Sequence, residues 1–139
     1  MHNAERFPFT AADRELGEAS FRPQLPVVLA YRDLSVAVSG LLDTGAVVNV
    51  LPHHVGLELG AVWEHASVPV TLTGNLAQYE ARALIVTATV SRFDPVRLVF
   101  AWTQATNVPM LLGQVNFFME FDICFYRSQL AFEIRPRQR

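Results

Sequence analysis

Apolar and polar residues alternate over long stretches of the chain, and this two-residue period is typical of half-buried β-strands. The alternation is clearest at residues 34–39 and 80–87. Two apolar, β-branched runs at 24–31 and 96–102 predict further strands, because side chains of this shape pack well on a pleated sheet. Turn-forming residues separate these runs, so the pattern predicts many short strands joined by tight connections.

The rest of the chain predicts shorter elements of the same kind. Residues 47–51, apolar apart from Asn49, predict a short strand, and Pro52 can open a short helix that Gly60 ends. The other predicted elements are a long hairpin with strands at 68–73 and 78–90, a short helix at 115–120, and a closing hairpin of 122–126 and 130–134. We therefore predict a mostly β protein, with a closed or nearly closed β-barrel and one or two short helices.

The first 23 residues carry mixed charge and lack a clear period. Residues 11–19 predict a short helix, for which Thr10 is a candidate cap. We interpret residues 1–23 as an N-terminal arm that a partner subunit orders. We interpret residues 24–139 as one domain, since a chain of 139 residues has the length of a single domain.

Composition and charge narrow the choice of partners. Hydrophobic residues make up 51% of the chain and charged residues 17%, which favours a large buried interface over a small monomer. The formal net charge of −2, without a basic stripe, argues against nucleic acid. No apolar run approaches the roughly 20 residues of a membrane span, and the N-terminus lacks the pattern of a signal peptide. We therefore expect a cytoplasmic protein with no membrane partner.

Cysteine and histidine do not form a recognisable site. Cys124 is the single cysteine, so no intrachain disulfide is possible, and we interpret it as a small buried strand residue. His53 and His54 are neighbours, but successive helical residues point about 100° apart, so we expect a solvated pair rather than metal ligands. No Gly-x-Ser-x-Gly turn is present, which disfavours a serine hydrolase. We expect neither a metal ion nor another cofactor.

Asp43 is the strongest candidate for chemistry, since it directly follows an apolar run and begins a turn of small residues. A carboxylate at the end of a buried strand costs free energy unless it is hydrogen-bonded or shared. Thr44 places a hydroxyl beside it, and Gly45 allows a tight turn and the close approach of another group. The alternative interpretation is an aspartate that only caps local backbone groups.

Residues 41–46, Leu-Leu-Asp-Thr-Gly-Ala, resemble the active-site loop of the retropepsin-like aspartic proteases, the single-domain family that includes the retroviral proteases. A second match, at 110–118, resembles the apolar-apolar-Gly segment and short helix that pack behind the catalytic loop in that family. The two matches have the family's order and are separated by strand-like sequence. The resemblance covers about residues 25–134 and implies a β-barrel of the retropepsin type.

The resemblance implies a role for each residue of this loop. Asp43 would be catalytic, Thr44 would hydrogen-bond to a second subunit, Gly45 would let two loops approach, and Ala46 would pack beneath them. The other implied site residues are Leu111, Leu112 and Gly113 behind the loop, and Thr73, Gly74 and Asn75 at the tip of the flap, the hairpin that closes over substrate.

Peptide hydrolysis by this chemistry needs two carboxylates that share one proton, a well-known property of aspartic proteases. The chain has one Asp-Thr-Gly motif, and the second carboxylate must then come from another copy across a two-fold axis. We therefore predict a homodimeric aspartic endopeptidase that binds an extended polypeptide. The alternative is a non-catalytic dimeric β module that binds peptide or a protein partner. The aspartates that lack the motif are Asp13, Asp33, Asp94 and Asp122.

Overall fold

The computed structural model describes residues 1–11 and 14–138, so Asp13 lies outside the described residues. Within this part of the chain the strands are β1 (Glu5–Pro8), β2 (Thr10–Ala11), β3 (Phe21–Arg22), β4 (Gln24–Tyr31), β5 (Leu34–Leu42), β6 (Asn49–Leu51), β7 (Pro69–Val70), β8 (Ala81–Thr89), β9 (Val96–Thr103), β10 (Leu111–Leu112), β11 (Phe121–Tyr126) and β12 (Ala131–Pro136). The α-helices are α1 (His53–Glu58) and α2 (Phe117–Glu120), and 3₁₀ helices lie at Arg14–Ser20, Trp63–His65, Gly74–Leu76 and Arg127–Gln129. No helix in the described ranges is long and apolar enough to cross a membrane.

Six strands close into a β-barrel in the order β4-β5-β10-β6-β9-β8, because β8 also pairs with β4. Successive side chains of a strand point to opposite faces, and on β4 this buries Leu25, Val27 and Leu29 inside the barrel. β7 extends the sheet beside β8, and β1, β12 and β11 form a separate three-stranded sheet. The prediction of a mostly β protein with a closed barrel and few short helices is confirmed.

β10 connects the two halves of the barrel at the place where β5 ends. It pairs in parallel with β5, with Leu111 opposite Leu41 and Leu112 opposite Leu42. On its other side it pairs antiparallel with β6, with Leu111 opposite Val50. The loop between β5 and β6 therefore begins and ends beside one short strand that comes from much later in the chain.

Large aromatic side chains fill the barrel core and its surroundings. Phe100 and Trp102 are fully buried, and each such side chain contributes about 1.5–3 kcal/mol relative to an exposed position. Phe117 of α2 stacks on Phe121 of β11 at 5.0 Å between ring centroids, which fixes α2 against the three-stranded sheet.

His53 stacks on Trp102 at 5.6 Å. The expectation of a solvated histidine pair is therefore wrong for His53, because a neighbouring aromatic surface covers its ring.

Two predicted elements differ from the structure. In place of the helix predicted at 11–19, Ala11 ends β2 and 3₁₀ turns lie at Arg14–Ser20, interrupted at Gly17, where φ is 63°. Residues 12 and 13 of the predicted helix lie outside the described residues. The long hairpin predicted at 68–90 is shorter, because β7 ends at Val70 and β8 begins at Ala81. Between them the chain forms a 3₁₀ turn and packs Leu72 inward, so its backbone leaves the sheet.

The N-terminal segment contacts the chain's own C-terminal strand. β1 pairs antiparallel with β12, with Phe7 opposite Phe132, and the two rings stack at 5.6 Å. Glu133 on β12 accepts hydrogen bonds from the Met1 ammonium at 2.9 Å and from Arg6 at 3.1 Å. The division into an arm and a domain at residue 23 stays a prediction.

These hydrogen bonds predict that the stability of the fold decreases as the pH is lowered into the acid range. The Met1 ammonium, helped by the Arg6 guanidinium and opposed by partial burial, holds the pKa of Glu133 below its ordinary value of 4.5. A lowered folded-state pKa stabilises the fold above the ordinary value, and this stabilisation is lost as pH falls through the folded-state pKa. We expect Glu133→Gln to lower the thermal midpoint at pH 7 and to converge with wild type in acid. Midpoints measured from about pH 7 to about pH 3 check this.

Glu80→Gln is the matched control, because it removes an ion pair to Arg82 in which the glutamate is 59% exposed, against 19% for Glu133. We expect its curve to run close to wild type at every pH, since exposed pairs contribute little. If the thermal midpoints of Glu133→Gln and wild type differed by the same amount at every pH in the acid range, ionised Glu133 would not stabilise the fold as stated.

Candidate active site

Asp43 follows β5 directly, and local hydrogen bonds hold its backbone and side chain. Its N–H donates to the carbonyl oxygen of Leu112 at 3.0 Å, and its own carbonyl oxygen accepts the N–H of Ala46 at 3.1 Å. The N–H of Gly45 donates to Asp43 Oδ1 at 2.9 Å. A turn-capping aspartate makes this last bond too, so the bond alone does not indicate catalysis. It uses one carboxylate oxygen and leaves Oδ2 for another group.

Leu112 and Gly113 lie directly behind the Asp43 loop (residues 43–46). Leu112 is fully buried. A Cβ atom at Gly113 would lie 2.6 Å from the carbonyl oxygen of Val48 and 2.7 Å from that of Ala46. Backbone therefore passes so close to Gly113 that no side chain fits there, which explains the glycine by close approach. Leu111 lies one residue earlier and lines the groove in front of the loop.

Gln114 extends this support, although sequence reasoning did not single it out. Its side-chain Nε2 donates to the carbonyl oxygen of Thr44 at 2.9 Å. Its backbone N–H donates to Ala46, and the N–H of Val115 donates to Val47, each at 2.9 Å. Thr44 itself is exposed.

Asn49 is the second residue whose contacts the sequence did not reveal. It is fully buried at the start of β6, and its Oδ1 accepts the N–H of Gly113 at 2.8 Å. The signal was present as one amide in an otherwise apolar run, since a buried polar side chain needs hydrogen-bond partners. The pattern could not show that the partner is Gly113, 64 residues further along the chain.

A groove of about 630 Å³ opens in front of Asp43. The predicted flap-tip residues Thr73, Gly74 and Asn75 line the same groove, as does Tyr79. In the described part of the chain Asp43 is the only carboxylate that lines it. The apolar residues that line it are Leu41, Ala46, Val47, Val48, Val50, Leu72, Leu76, Val108, Pro109 and Leu111.

The other described aspartates lie elsewhere. Asp33 and Asp94 are exposed in turns, and Asp122 bonds to Arg135 at 3.2 Å across β11 and β12. Among residues 1–11 and 14–138, no group of three or more His, Cys, Asp or Glu side chains is placed to hold a metal ion. One chain thus brings together one carboxylate, an apolar groove and the predicted flap tip.

A solved structure with the same architecture decides the fold. A retropepsin-like aspartic protease from Rickettsia conorii superposes with a TM-score of 0.58 over 94% of this chain and 91% of that chain, at 13% sequence identity. The fold is retropepsin-like. The EIAV protease in complex with an inhibitor matches more weakly, with a TM-score of 0.45 over 67% of this chain and 82% of that chain, at 19% identity.

The retropepsin-like fold is visible in the backbone rather than in overall sequence. No protein-family model matches the chain, and no curated protein sequence matches it significantly.

Proposed function

We propose that this protein is an aspartic endopeptidase that acts as a homodimer, with one Asp43 carboxylate from each subunit. The observation that carries this is the position of Asp43: half-buried on the groove surface, with its backbone N–H held by Leu112. A loop fixed in this way can hold a carboxylate at a defined place, which general acid–base chemistry requires. The retropepsin-like fold agrees with the proposal.

The chemistry follows from two carboxylates placed close together. Two like charges at that distance cannot both ionise easily, so one carboxyl stays protonated while the other is ionised. The ionised carboxylate takes a proton from a bound water, and the water oxygen attacks the scissile carbonyl carbon. The protonated carboxyl donates a hydrogen bond to the carbonyl oxygen and later supplies the proton for the departing amine.

A second copy of the chain is needed because the groove holds one carboxylate. An isologous dimer places identical groups opposite each other across its axis, so it brings two Asp43 side chains together. Exposed apolar side chains beside the loop favour its burial by a second subunit: Val47 is 58% exposed and Val115 is 47% exposed. The two residues are adjacent, since the Val115 N–H donates to the Val47 carbonyl oxygen at 2.9 Å. Met119, 54% exposed on α2, adds to this apolar surface.

The proposed substrate is a polypeptide bound in an extended conformation. The groove is lined mainly by apolar side chains, which favours apolar residues next to the cleaved bond. We propose Thr73, Gly74 and Asn75 as flap residues that contact the substrate backbone. Gly74 has φ 63°, which a glycine adopts without strain, and it allows the tip to turn tightly above the groove.

Cleavage that depends on enzyme concentration tests the proposal. An unstructured polypeptide is incubated with the protein at mildly acid pH, with and without a statine-type inhibitor, over a wide range of enzyme concentrations. A homodimeric enzyme loses specific activity on dilution, because the dyad separates with the subunits. A protein that binds the polypeptide without cleaving it at any concentration is the non-catalytic module instead.

The apolar surface beside the loop predicts the effect of added charge. We expect Val115→Lys to raise the dimer dissociation constant by roughly 10- to 100-fold, because two lysines then meet across the axis. Sedimentation and the concentration dependence of cleavage measure this. Leu34→Lys is the control, since Leu34 is 51% exposed at the far end of the strand that leads to Asp43. Equal dissociation constants for both variants and wild type would place the interface elsewhere.

A further inference from the structure

The Leu112–Gly113 peptide group is held from both sides. Its carbonyl oxygen, on Leu112, accepts the N–H of Asp43 at 3.0 Å. Its N–H, on Gly113, donates to Oδ1 of Asn49 at 2.8 Å. A peptide group is planar, so these two bonds act on one rigid unit. A single peptide plane thus connects the Asn49 side chain to the backbone of Asp43.

The other end of the Asn49 amide is fixed on β9. Its Nδ2 donates to the carbonyl oxygen of Val99 at 3.0 Å and to Oδ1 of Asn116 at 3.1 Å. Asn116 Oδ1 also accepts the N–H of Val99 at 3.0 Å, and its Nδ2 donates to the carbonyl oxygen of Arg97 at 2.9 Å. Asn116 therefore bonds to β9 as a neighbouring strand would. Backbone partners on both amides also fix which side-chain atom is oxygen and which is nitrogen.

The burial of Asn49 makes these bonds strong determinants of local geometry. A buried amide costs free energy unless its donors and acceptors are paired, and Asn49 sits in a run of valine and leucine that an apolar residue would continue. Removing its oxygen leaves the Gly113 N–H unpaired in the interior, and an unpaired buried donor is expensive. The Leu112–Gly113 plane is then held on one side only, by the Asp43 N–H, so it can rotate and carry the acceptor of that N–H with it.

We propose that Asn49 is a positioning residue for the catalytic aspartate, acting through the Leu112–Gly113 peptide group, with Asn116 bracing it against β9. The catalytic part of this proposal rests on the proposed function. The structural part, that Asn49 orders the backbone at Asp43, does not depend on whether the protein cleaves peptides. Together the three groups form what we name the Asn49 clamp: the side chains of Asn49 and Asn116 and the Leu112–Gly113 peptide group.

Amide hydrogen exchange, resolved by residue, tests the structural part. In Asn49→Leu, which is close in volume, we expect the protection of the Asp43 N–H to fall by roughly 10- to 100-fold, the scale of a lost buried hydrogen bond. Protection of amides in the β8–β9 ladder should change much less. A uniform fall across the barrel, or unchanged protection at Asp43, would overturn the proposal.

Leu51→Ala is the matched control for a general loss of stability. Leu51 is fully buried on the same strand, two residues after Asn49, and belongs to the main core rather than to the Asn49 clamp. Its truncation destabilises the whole barrel. In Leu51→Ala we expect the protection of the Asp43 N–H to fall by the same factor as that of the β8–β9 amides. In Asn49→Leu we expect it to fall by a larger factor than theirs.

Asn116→Ala provides a second variant if Asn49→Leu does not fold. It removes the brace but leaves the bonds from Asn49 to Gly113 and Val99, so we expect a smaller, severalfold fall in protection at Asp43. A fall confined to the loop supports the clamp. No fall, or one shared equally with the β8–β9 ladder, overturns it.

Steady-state kinetics test the catalytic part with the folded variants. A residue that positions the acid–base group lowers kcat while KM changes little. We expect kcat in Asn49→Leu to fall by about 10- to 100-fold, at enzyme concentrations where the variant is dimeric. A folded, dimeric variant with wild-type kcat would show that Asn49 has no catalytic effect. If wild type itself cleaves nothing, the proposed function fails, and the exchange measurement still decides the clamp.

Discussion

Replacing Asp43 with asparagine is expected to lower the rate of peptide cleavage by about 1000-fold or more while the fold and the dimer persist. In a homodimer the change removes both carboxylates at once. No group is then left to take a proton from the water or to protonate the leaving amine. The fold should persist because the amide oxygen of asparagine can still accept the Gly45 N–H that Asp43 Oδ1 accepts at 2.9 Å. Thermal midpoint and sedimentation measure fold and dimer, and cleavage of an unstructured polypeptide measures activity.

Asp94→Asn is the matched control for this experiment. Asp94 is exposed in a turn and does not line the groove, so the same chemical change there should leave cleavage at the wild-type rate. Equal cleavage by wild type and Asp43→Asn would end the protease proposal. Equal binding of polypeptide by both, without cleavage by either, would favour the non-catalytic module.

Replacing Gly113 with alanine is expected to destabilise the protein by about 3 kcal/mol, at the upper end of the range for overpacking a core. The added methyl group would lie 2.6 Å from the carbonyl oxygen of Val48 and 2.7 Å from that of Ala46. Both atoms are backbone, so the clash is relieved only by a shift of main chain, either at residues 46–48 or at Gly113 itself. We expect the thermal midpoint to fall by roughly 10 °C, together with a loss of activity in the molecules that remain folded.

Gly45→Ala separates these two effects. Its added methyl group would meet only Asp43 Oδ1, at 3.3 Å, which a small side-chain movement relieves. Stability should then stay within about 1 kcal/mol of wild type, while activity falls because the carboxylate is displaced. If Gly113→Ala were as stable as Gly45→Ala, the backbone around residue 113 would move at a lower cost in free energy than the short contacts indicate.

The local pattern of the sequence predicts the barrel strands well for a physical reason. Burial on one face of a strand imposes a two-residue period, as at 34–39 in β5 and 81–87 in β8. The apolar, β-branched run at 24–31 has the same bounds as β4. Turn residues are local signals too, as is the carboxylate that follows an apolar run. These features depend on neighbours in sequence, so a single chain displays them.

Pairing between distant segments leaves no such trace. Two-residue β10 is too short to show a period, yet it lies between β5 and β6 and supports the loop. Four-residue β1 alternates weakly and is defined by its pairing with β12. The segment of the predicted flap differs for a related reason. Leu72 falls in the strand predicted at 68–73, but it packs in a small cluster with Val50, against which Leu76 also packs, and this packing takes the backbone out of the sheet.

Support from β10 has a consequence for how the protein is made. The side chain of Gln114 reaches Thr44 across 70 residues of chain, and Leu112 supplies the acceptor for Asp43. Contacts of such long range form late, because a long segment must first close into a loop. On the ribosome, residues 1–111 can emerge while the Asp43 loop still has nothing behind it. Under the proposed function, the protein is then inactive during its synthesis, and it can cleave only after Leu112 and Gln114 have packed behind the loop and two copies have paired.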